Sequence, residues 1–367
     1  MLPEPEAEAL AASALLLQRI RAQLEAGGNW IGFARYMELV LYEPGLGYYA
    51  GGSAKLGAPG DFATAPEMGT LFARTLGRQV ADLLQPGEAI LEFGAGSGAL
   101  AEALIAALKP ETYLILETSG ELRARQEARL GTRARWLERL PEKFRGVMIA
   151  NEVADSMPVH ALAWRANDVM ERGVSEIGGE LAWTERPASG ELLAAARRLE
   201  VPVPYESEIG LVGRAWTKLL AARLERGALL VVDYGFPQRE YYHPQRTAGT
   251  LMCHYRHRAH GDVFFHPGLQ DITAHVDFTA LAQAARDGGL EVLGYANQAQ
   301  FLVNCGITEV LGSEDAADAA RYAPRAAEAH KLLSPAEMGE LFKVLAVGRG
   351  VSRPLLGFAR GDRSHTL

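Results

Sequence analysis

The stretch Ile90–Leu100 reads I-L-E-F-G-A-G-S-G-A-L, an apolar segment followed by three alternating glycines and the start of an Ala/Leu-rich helix. Glycines at positions 94, 96 and 98 let the backbone approach a nucleotide where any Cβ atom would collide. The stretch therefore predicts the strand, turn and helix of a nucleotide-binding, Rossmann-type sheet.

Glu92 stands two residues before Gly94, at the predicted carboxyl end of the strand. A carboxylate there would repel the pyrophosphate of a dinucleotide but can hold the ammonium group of a methionine. We therefore expect S-adenosylmethionine rather than NAD, although G-A-G-S-G-A also satisfies the looser dinucleotide pattern. A glycine-rich turn without a ligand is less favoured, since three glycines cost backbone entropy unless their conformations are used.

A second acid ends the next predicted strand, Tyr113–Glu117 (Y-L-I-L-E), 23 residues after Gly94. In a mononucleotide-binding sheet this position faces the ribose hydroxyls, and a carboxylate can accept two hydrogen bonds from the vicinal diol. Both candidate cofactors carry that diol. Glu117 therefore predicts nucleotide binding without choosing between them.

Composition describes an ordinary globular chain of 367 residues, 48% hydrophobic and 22% charged. Its 37 Lys and Arg against 45 Asp and Glu give a net charge of −8, which weighs against nonspecific nucleic-acid binding. Cys253 and Cys305 are too few for a disulfide framework or a zinc site. Residues 1–10 lack the features of a secretory or transit signal, and no apolar run is long enough to span a bilayer. We expect a cytoplasmic location and no membrane insertion.

The periodicity predicts an alternation of strands and helices in the centre of the chain. We expect helices over 6–26, within 31–50 and over 68–84, then strand 89–93, helix 98–108, strand 112–117, helix 119–129, and strands 134–137 and 146–151. Such alternation predicts a parallel sheet covered by helices.

The remainder of the chain is less regular. Extended segments over 159–165, 169–177 and 180–184 predict a β-rich insertion, followed by helices 190–199 and 207–225, strand 228–233, a long irregular stretch 235–275, helix 278–287, strand 291–295, and a closing hairpin of 342–348 with 355–359. The predicted domains are a helical, loop-rich region 1–85, a core of 86–158 with 227–367, and an insertion 159–226.

Polar side chains follow two further predicted strands. Asn151, Glu152 and Asp155 come after strand 146–151, and Asp233 with Tyr234 ends strand 228–233. In open α/β sheets, ligands bind at the carboxyl ends of the strands, so these side chains are candidates for the substrate end of the site. Simpler roles are a helix cap for Asp155 and a turn at Asp233-Tyr234-Gly235.

Histidines are concentrated between residues 243 and 275. Arg256 and Arg258 lie among His254, His257 and His260, and their charges oppose a bound cation. We expect no metal, and favour local structural roles or contacts with anionic groups.

Seven segments together resemble the MidA family of class I S-adenosylmethionine-dependent methyltransferases. In chain order they are Y-M-E-L-V-L-Y-E-P-G-L-G-Y-Y-A (36–50), G-D-F-A-T-A-P-E (60–67), E-F-G-A-G-S-G (92–98), N-E-V-A-D-S-M-P (151–158), V-D-Y-G (232–235), D-I-T-A-H-V-D-F (271–278) and F-L-V-N-C-G-I (301–307). Val153-Ala154 departs from the bulkier apolar residues common at that place. The mitochondrial members are protein arginine methyltransferases that act in respiratory complex I assembly.

The resemblance implies a seven-stranded Rossmann-like methyltransferase sheet with an N-terminal helical region and a β-rich, substrate-side insertion. Its implied cofactor is S-adenosyl-L-methionine, bound over the glycine turn and covered by residues 61–67. We therefore predict cofactor binding by Glu92, Gly94, Gly96, Gly98, Glu117, Asp61, Thr64, Pro66, Glu67 and Asn151, and substrate binding by Tyr48, Tyr49, Tyr234 and His275.

Methyl transfer is an in-line displacement, so holding the nucleophile against the methyl group supplies much of the catalysis. Carboxylates can fix a guanidinium fork and accept its proton, and we predict Glu152 for this role, with Asp155 and Asp233 as helpers. A protein substrate is expected and a homodimer is left open. The alternatives are an assembly factor that binds the cofactor without turnover, and an NAD-linked oxidoreductase, which Glu92 disfavours.

Overall fold

The chain is divided into two units. The computed structural model describes residues 2–51, 64–313, 318–352 and 354–367. Unit 1 comprises Met1–Phe62, Asp155–Ala215 and Gln238–Asp277, and unit 2 comprises Ala63–Ala154, Trp216–Pro237 and Phe278–Leu367. Each unit is thus assembled from three separate segments of chain.

Helices and strands alternate along much of the described chain. The helices are α1 (Ala7–Ala26), α2 (Phe33–Tyr42), α3 (Ala65–Met68), α4 (Leu71–Leu83), α5 (Ala99–Leu108), α6 (Gly120–Leu130), α7 (Gly190–Ala196), α8 (Leu211–Arg223), α9 (Gln238–Tyr241), α10 (Phe278–Asp287), α11 (Gln298–Asn304), α12 (Ile307–Gly312), α13 (Ala319–Leu333) and α14 (Met338–Leu341). The strands are β1 (Ile31–Gly32), β2 (Ala89–Phe93), β3 (Tyr113–Leu116), β4 (Arg135–Leu137), β5 (Phe144–Asn151), β6 (His160–Trp164), β7 (Val169–Ile177), β8 (Glu180–Pro187), β9 (Tyr205–Ile209), β10 (Leu224–Phe236), β11 (Met252–Tyr255), β12 (Arg258–His260), β13 (Asp271–Thr273), β14 (Val276–Asp277), β15 (Glu291–Asn297) and β16 (Phe342–Arg349).

Unit 2 is built on a sheet whose hydrogen-bonded path runs β4-β3-β2-β5-β10-β16-β15. Strands β4, β3, β2, β5 and β10 pair in parallel. Strand β16 is antiparallel to both β10 and β15. In the order of these strands along the chain the path reads 3-2-1-4-5-7-6, so the predicted parallel core and the seven-strand path are both present.

The core of unit 2 explains why these strands form. Ile90, Val147, Ile149 and Leu230 on β2, β5 and β10 are fully buried. Near-continuous apolar runs such as V-M-I-A (147–150) are typical of parallel strands covered on both faces. Leu76 of α4, like the strand residues, belongs to this core. This buried core therefore fixes the positions of the carboxyl ends of β2, β3 and β5.

Unit 1 contains the predicted β-rich insertion as an antiparallel sheet, in the order β1-β7-β6-β9 with β8 paired to β7. Gly178 and Gly179 join β7 to β8 with φ of 63° and 89°. Positive φ at both residues of a two-residue loop is the hairpin geometry that glycine favours. Leu16 and Ile20 of α1 and Phe33 of α2 are buried in the core of this unit.

Three sequence expectations were wrong. Residues 205–209, partly assigned to a helix over 207–225, form β9, and α8 begins only at Leu211. The stretch 235–275 contains a three-stranded sheet, β12-β11-β13, and not only irregular chain. The closing hairpin is absent, because Leu356–Phe358 is a 3-10 helix and β16 pairs with β10 and β15 instead.

Helices α3 and α4, grouped with residues 1–85 in the predicted division, belong to unit 2.

Nowhere in the described ranges is a helix both long and apolar enough to cross a membrane.

Candidate functional site

The glycine turn lies between β2 and α5. Gly94, Gly96 and Gly98 have φ of 56°, 55° and 81°, a region that residues with a Cβ atom rarely adopt. A Cβ atom on Gly94 would lie 3.2 Å from Cγ2 of Val153, in the loop after β5. The turn therefore uses its glycines both for backbone conformation and for close approach to its neighbour.

Glu92 lies within β2 and is almost completely buried. Its carboxyl group accepts a hydrogen bond from the hydroxyl of Tyr113 on β3. Burial raises the pKa of Glu92 to about 7; the Tyr113 hydrogen bond opposes this rise and the charge of Glu117 adds to it. A buried carboxyl group with a pKa near 7 is partly protonated at neutral pH, and a nearby ammonium group favours its ionised form.

Glu117 follows β3, and both of its carboxylate oxygens are held. The backbone N–H of Ser119 donates to Oε1 at 2.9 Å, and Nε2 of Gln126 donates to Oε2 at 2.9 Å. Burial raises the pKa of Glu117, while these hydrogen bonds oppose the rise. Since a carboxylate has about four acceptor positions, this arrangement fixes the group and leaves capacity for a diol.

The loop after β5 holds Asn151 and Glu152. Glu152 has a φ of 54°, which is strained for a residue with a side chain. Its Oε1 accepts hydrogen bonds from the backbone N–H of Ala65 at 3.3 Å and from Nδ2 of Asn151 at 3.2 Å. Glu152 thus connects the end of β5 with the start of α3.

Of the predicted segment over the cofactor, Asp61 lies outside the described residues. Thr64 precedes α3, and Pro66 and Glu67 lie in its single turn. Glu67 accepts a hydrogen bond from the hydroxyl of Ser97 in the glycine turn. Arg129 donates to the same hydroxyl at 2.7 Å. Unit 2 therefore brings Glu67 to the glycine turn and, through Ala65, α3 to Glu152.

Asp233 is fully buried near the end of β10. Its Oδ2 accepts the backbone N–H groups of Val153 at 3.2 Å and Ala154 at 2.9 Å, and its Oδ1 accepts that of Tyr234 at 2.9 Å. The ring of Tyr234 packs edge-on against Phe342 at 5.5 Å. Asp233 thereby fixes the backbone of the loop that carries Glu152.

The other predicted side chains belong to unit 1. Tyr48 is fully buried in its core and contacts the ring of Tyr49 edge-on, at 5.0 Å between centroids. The hydroxyl of Tyr49 donates to Asp271 at 2.9 Å. Burial, followed by the charges of Asp271 and Asp155, raises the pKa of Tyr49. The backbone N–H of His275 donates to the hydroxyl of Thr250 at 3.1 Å.

The histidine-rich stretch forms local structure. His254 on β11 and His260 on β12 lie in one hairpin, and Arg256 and His257 form its turn with positive φ. Burial lowers the pKa of His260. Across the described ranges, no group of three or more His, Cys, Asp and Glu side chains could hold a metal ion.

Unit 2 fits an adenosyl cofactor, because three glycines with positive φ are flanked by the buried carboxyl group of Glu92 and the partly buried carboxylate of Glu117. Together with the strand order 3-2-1-4-5-7-6, this site defines a class I S-adenosylmethionine-dependent methyltransferase. Residues 71–296 match the family model described as "Putative S-adenosyl-L-methionine-dependent methyltransferase". The chain belongs to that family, the MidA family that its motifs resemble.

Similar proteins agree with this assignment. A Burkholderia thailandensis protein crystallised with S-adenosyl-homocysteine is 49% identical, with a TM-score of 0.97 and coverage of 100% of both chains. The mitochondrial protein arginine methyltransferase NDUFAF7 of Danio rerio is 28% identical over 90% of this chain and 86% of its own length. The human protein of the same name is 28% identical over 80% and 73%. The chain is an S-adenosylmethionine-dependent methyltransferase.

Sequence reasoning missed several residues that shape this site. Tyr113 contacts Glu92 and Ser97 contacts Glu67, both of which were predicted, and Arg129 in turn contacts Ser97. Nothing in the spacing of these three residues marks them. Gln126 did leave a signal, because it occupies the inward stripe of α6 between Leu122 and Leu130, where an apolar residue is expected.

Proposed function

We propose that this methyltransferase transfers the methyl group of S-adenosylmethionine to the guanidinium group of an arginine in a protein. The curated relatives are named as protein arginine methyltransferases, which supports this acceptor class. The observation that carries the proposal is the carboxylate of Glu152, held on a strained backbone at the end of β5 in the unit that carries the glycine turn.

The chemistry assigns a role to each carboxylate. A guanidinium nitrogen attacks the methyl carbon, the carbon–sulfur bond breaks, and S-adenosylhomocysteine leaves with the bonding electrons. Because guanidinium has a delocalised lone pair and a pKa above about 12, it needs orientation and a proton acceptor. Glu152 would form the hydrogen-bonded fork and take the proton as transfer proceeds. Asp233 would act indirectly, by holding the loop.

Transfer of a radiolabelled methyl group into cell extract, followed by mass spectrometry of the labelled species, tests the proposal. We expect label in protein and methylarginine among the digestion products. Label in another residue would overturn the arginine assignment, and label only in small molecules would overturn the protein substrate. Cofactor binding with no label anywhere would support an assembly factor without turnover.

Three further expectations accompany this function. We propose a cytoplasmic location, no role in nucleic-acid binding, and a homodimer as the assembly to be tested. Fractionation of cells, electrophoretic mobility with nucleic acid and sedimentation velocity measure these three properties separately.

A further inference from the structure

The side chain of Gln126 is fully buried beside the cofactor site, yet it is polar and carries no predicted role. Its Nε2 donates to the backbone carbonyl of Gly96 and to Oε2 of Glu117, both at 2.9 Å. Its Oε1 accepts the indole N–H of Trp136 on β4, also at 2.9 Å. Gln126 therefore joins the glycine turn, the acid after β3 and the edge strand β4.

The orientation of this amide follows from its partners. An indole nitrogen can only donate, so the oxygen of Gln126 must face Trp136. The amino group must then face Gly96 and Glu117, where a carbonyl and a carboxylate both require donors. Both N–H groups and the oxygen are thus engaged, and rotation of the amide would break all three contacts.

We propose that Gln126 is the positioning residue that ties the Glu117 carboxylate to the glycine turn and thereby sets the selectivity of the site for the ribose hydroxyls. This inference rests on the assignment of Glu117 to the ribose diol. Ser119 holds one oxygen of Glu117 from its own loop, whereas Gln126 holds the other from α6. Without Gln126 the Glu117 carboxylate loses the hydrogen bond from α6 and can turn away from the diol.

The test compares two ligands, S-adenosylhomocysteine and its analogue that lacks both ribose hydroxyls, by isothermal titration calorimetry. The dissociation constant of the analogue divided by that of S-adenosylhomocysteine measures the selectivity for the ribose hydroxyls. In Gln126→Met we expect this ratio to fall about tenfold, as for one lost hydrogen bond to a charged group. Affinity for the analogue should stay within about twofold, since only the hydroxyl contacts depend on Glu117.

Gln298→Met is the matched control. Gln298 is also fully buried in unit 2, and its Nε2 donates to the carbonyl of Leu332 at 3.1 Å. It should leave the selectivity ratio unchanged. Trp136→Phe provides a second route if Gln126→Met does not fold, because it removes the indole donor while Gln126 remains. We expect the ratio to fall about threefold in that variant.

A merely structural role predicts a different result. If Gln126→Met weakens both ligands equally, Gln126 only supports the fold and the proposal is overturned. A wild-type protein that binds both ligands equally would also overturn it, by removing the Glu117 assignment. That outcome leaves methyltransferase activity intact, so the two failures are distinguishable.

Discussion

Replacement of Glu117 by Ala tests the cofactor site most directly. Ser119 and Gln126 lose their acceptor in the free and the bound protein alike, so that cost cancels from the binding free energy. What remains is the loss of two hydrogen bonds from the ribose diol to a charged group in a largely buried site. Two such bonds are worth about 2–4 kcal/mol after competition with water, which corresponds to a weakening of about 30- to 900-fold.

Isothermal titration with S-adenosylhomocysteine measures this change. Glu138→Ala is the control, because the side chain of Glu138 is 81% exposed and forms an ion pair with Arg123. Its loss should change affinity by less than about 0.5 kcal/mol. A similarly small effect for Glu117→Ala would identify Glu117 as a solvated acid at the end of a strand and refute the ribose assignment.

Three other predictions concern the same unit. Gly96→Val should abolish S-adenosylmethionine binding, because Gly96 has a φ of 55° that a valine rarely adopts. The wild type should bind S-adenosylmethionine at least about tenfold more tightly than NAD. Calorimetry with both ligands measures the two affinities, and equal binding of NAD would contradict the cofactor assignment. Affinity for S-adenosylhomocysteine should rise between about pH 5.5 and 7.5, because the pKa of Glu92 is raised to about 7 and only its ionised form attracts an ammonium group. An affinity that does not change with pH, as expected for Glu92→Gln, would show that Glu92 does not bind the ammonium group. Glu152→Gln should keep cofactor affinity within about twofold while single-turnover methyl transfer falls by about 100-fold; loss of binding with normal transfer in the surviving complex would place Glu152 in the cofactor pocket.

The parallel sheet and the cofactor turn could be predicted because their signals are local. Strands 89–93 and 146–151 are apolar runs, and Gly94, Gly96 and Gly98 can adopt the positive φ of the turn because glycine has no Cβ atom. Residues at the carboxyl ends of neighbouring parallel strands then lie close together, because these ends share one edge of the sheet. No knowledge of distant contacts is needed to place Glu117 beside the glycine turn.

Strand β9 shows where such reasoning fails. Its sequence Y-E-S-E-I contains Glu208, which lies within the predicted helix 207–225. In the structure Glu208 is almost completely buried, and it accepts the backbone N–H and the hydroxyl of Thr250, both at 3.0 Å. These partners lie 42 residues away, so a local window cannot reveal that this acid faces inward.

Asp233 and Glu152 show a second limit, which concerns chemistry and not periodicity. A carboxylate at the end of a strand binds whatever donors are nearest, and sequence does not distinguish a ligand from an unpaired backbone N–H. Asp233 collects the N–H groups of Val153 and Ala154, the two residues that directly follow Glu152. Because a strained φ persists only where surrounding contacts fix it, these bonds explain how Glu152 keeps its φ of 54°. Asp233, which was predicted at the substrate end of the site, thus fixes the backbone that orients the carboxylate of Glu152. Both residues were identified from the same pattern, a polar side chain at the carboxyl end of a strand.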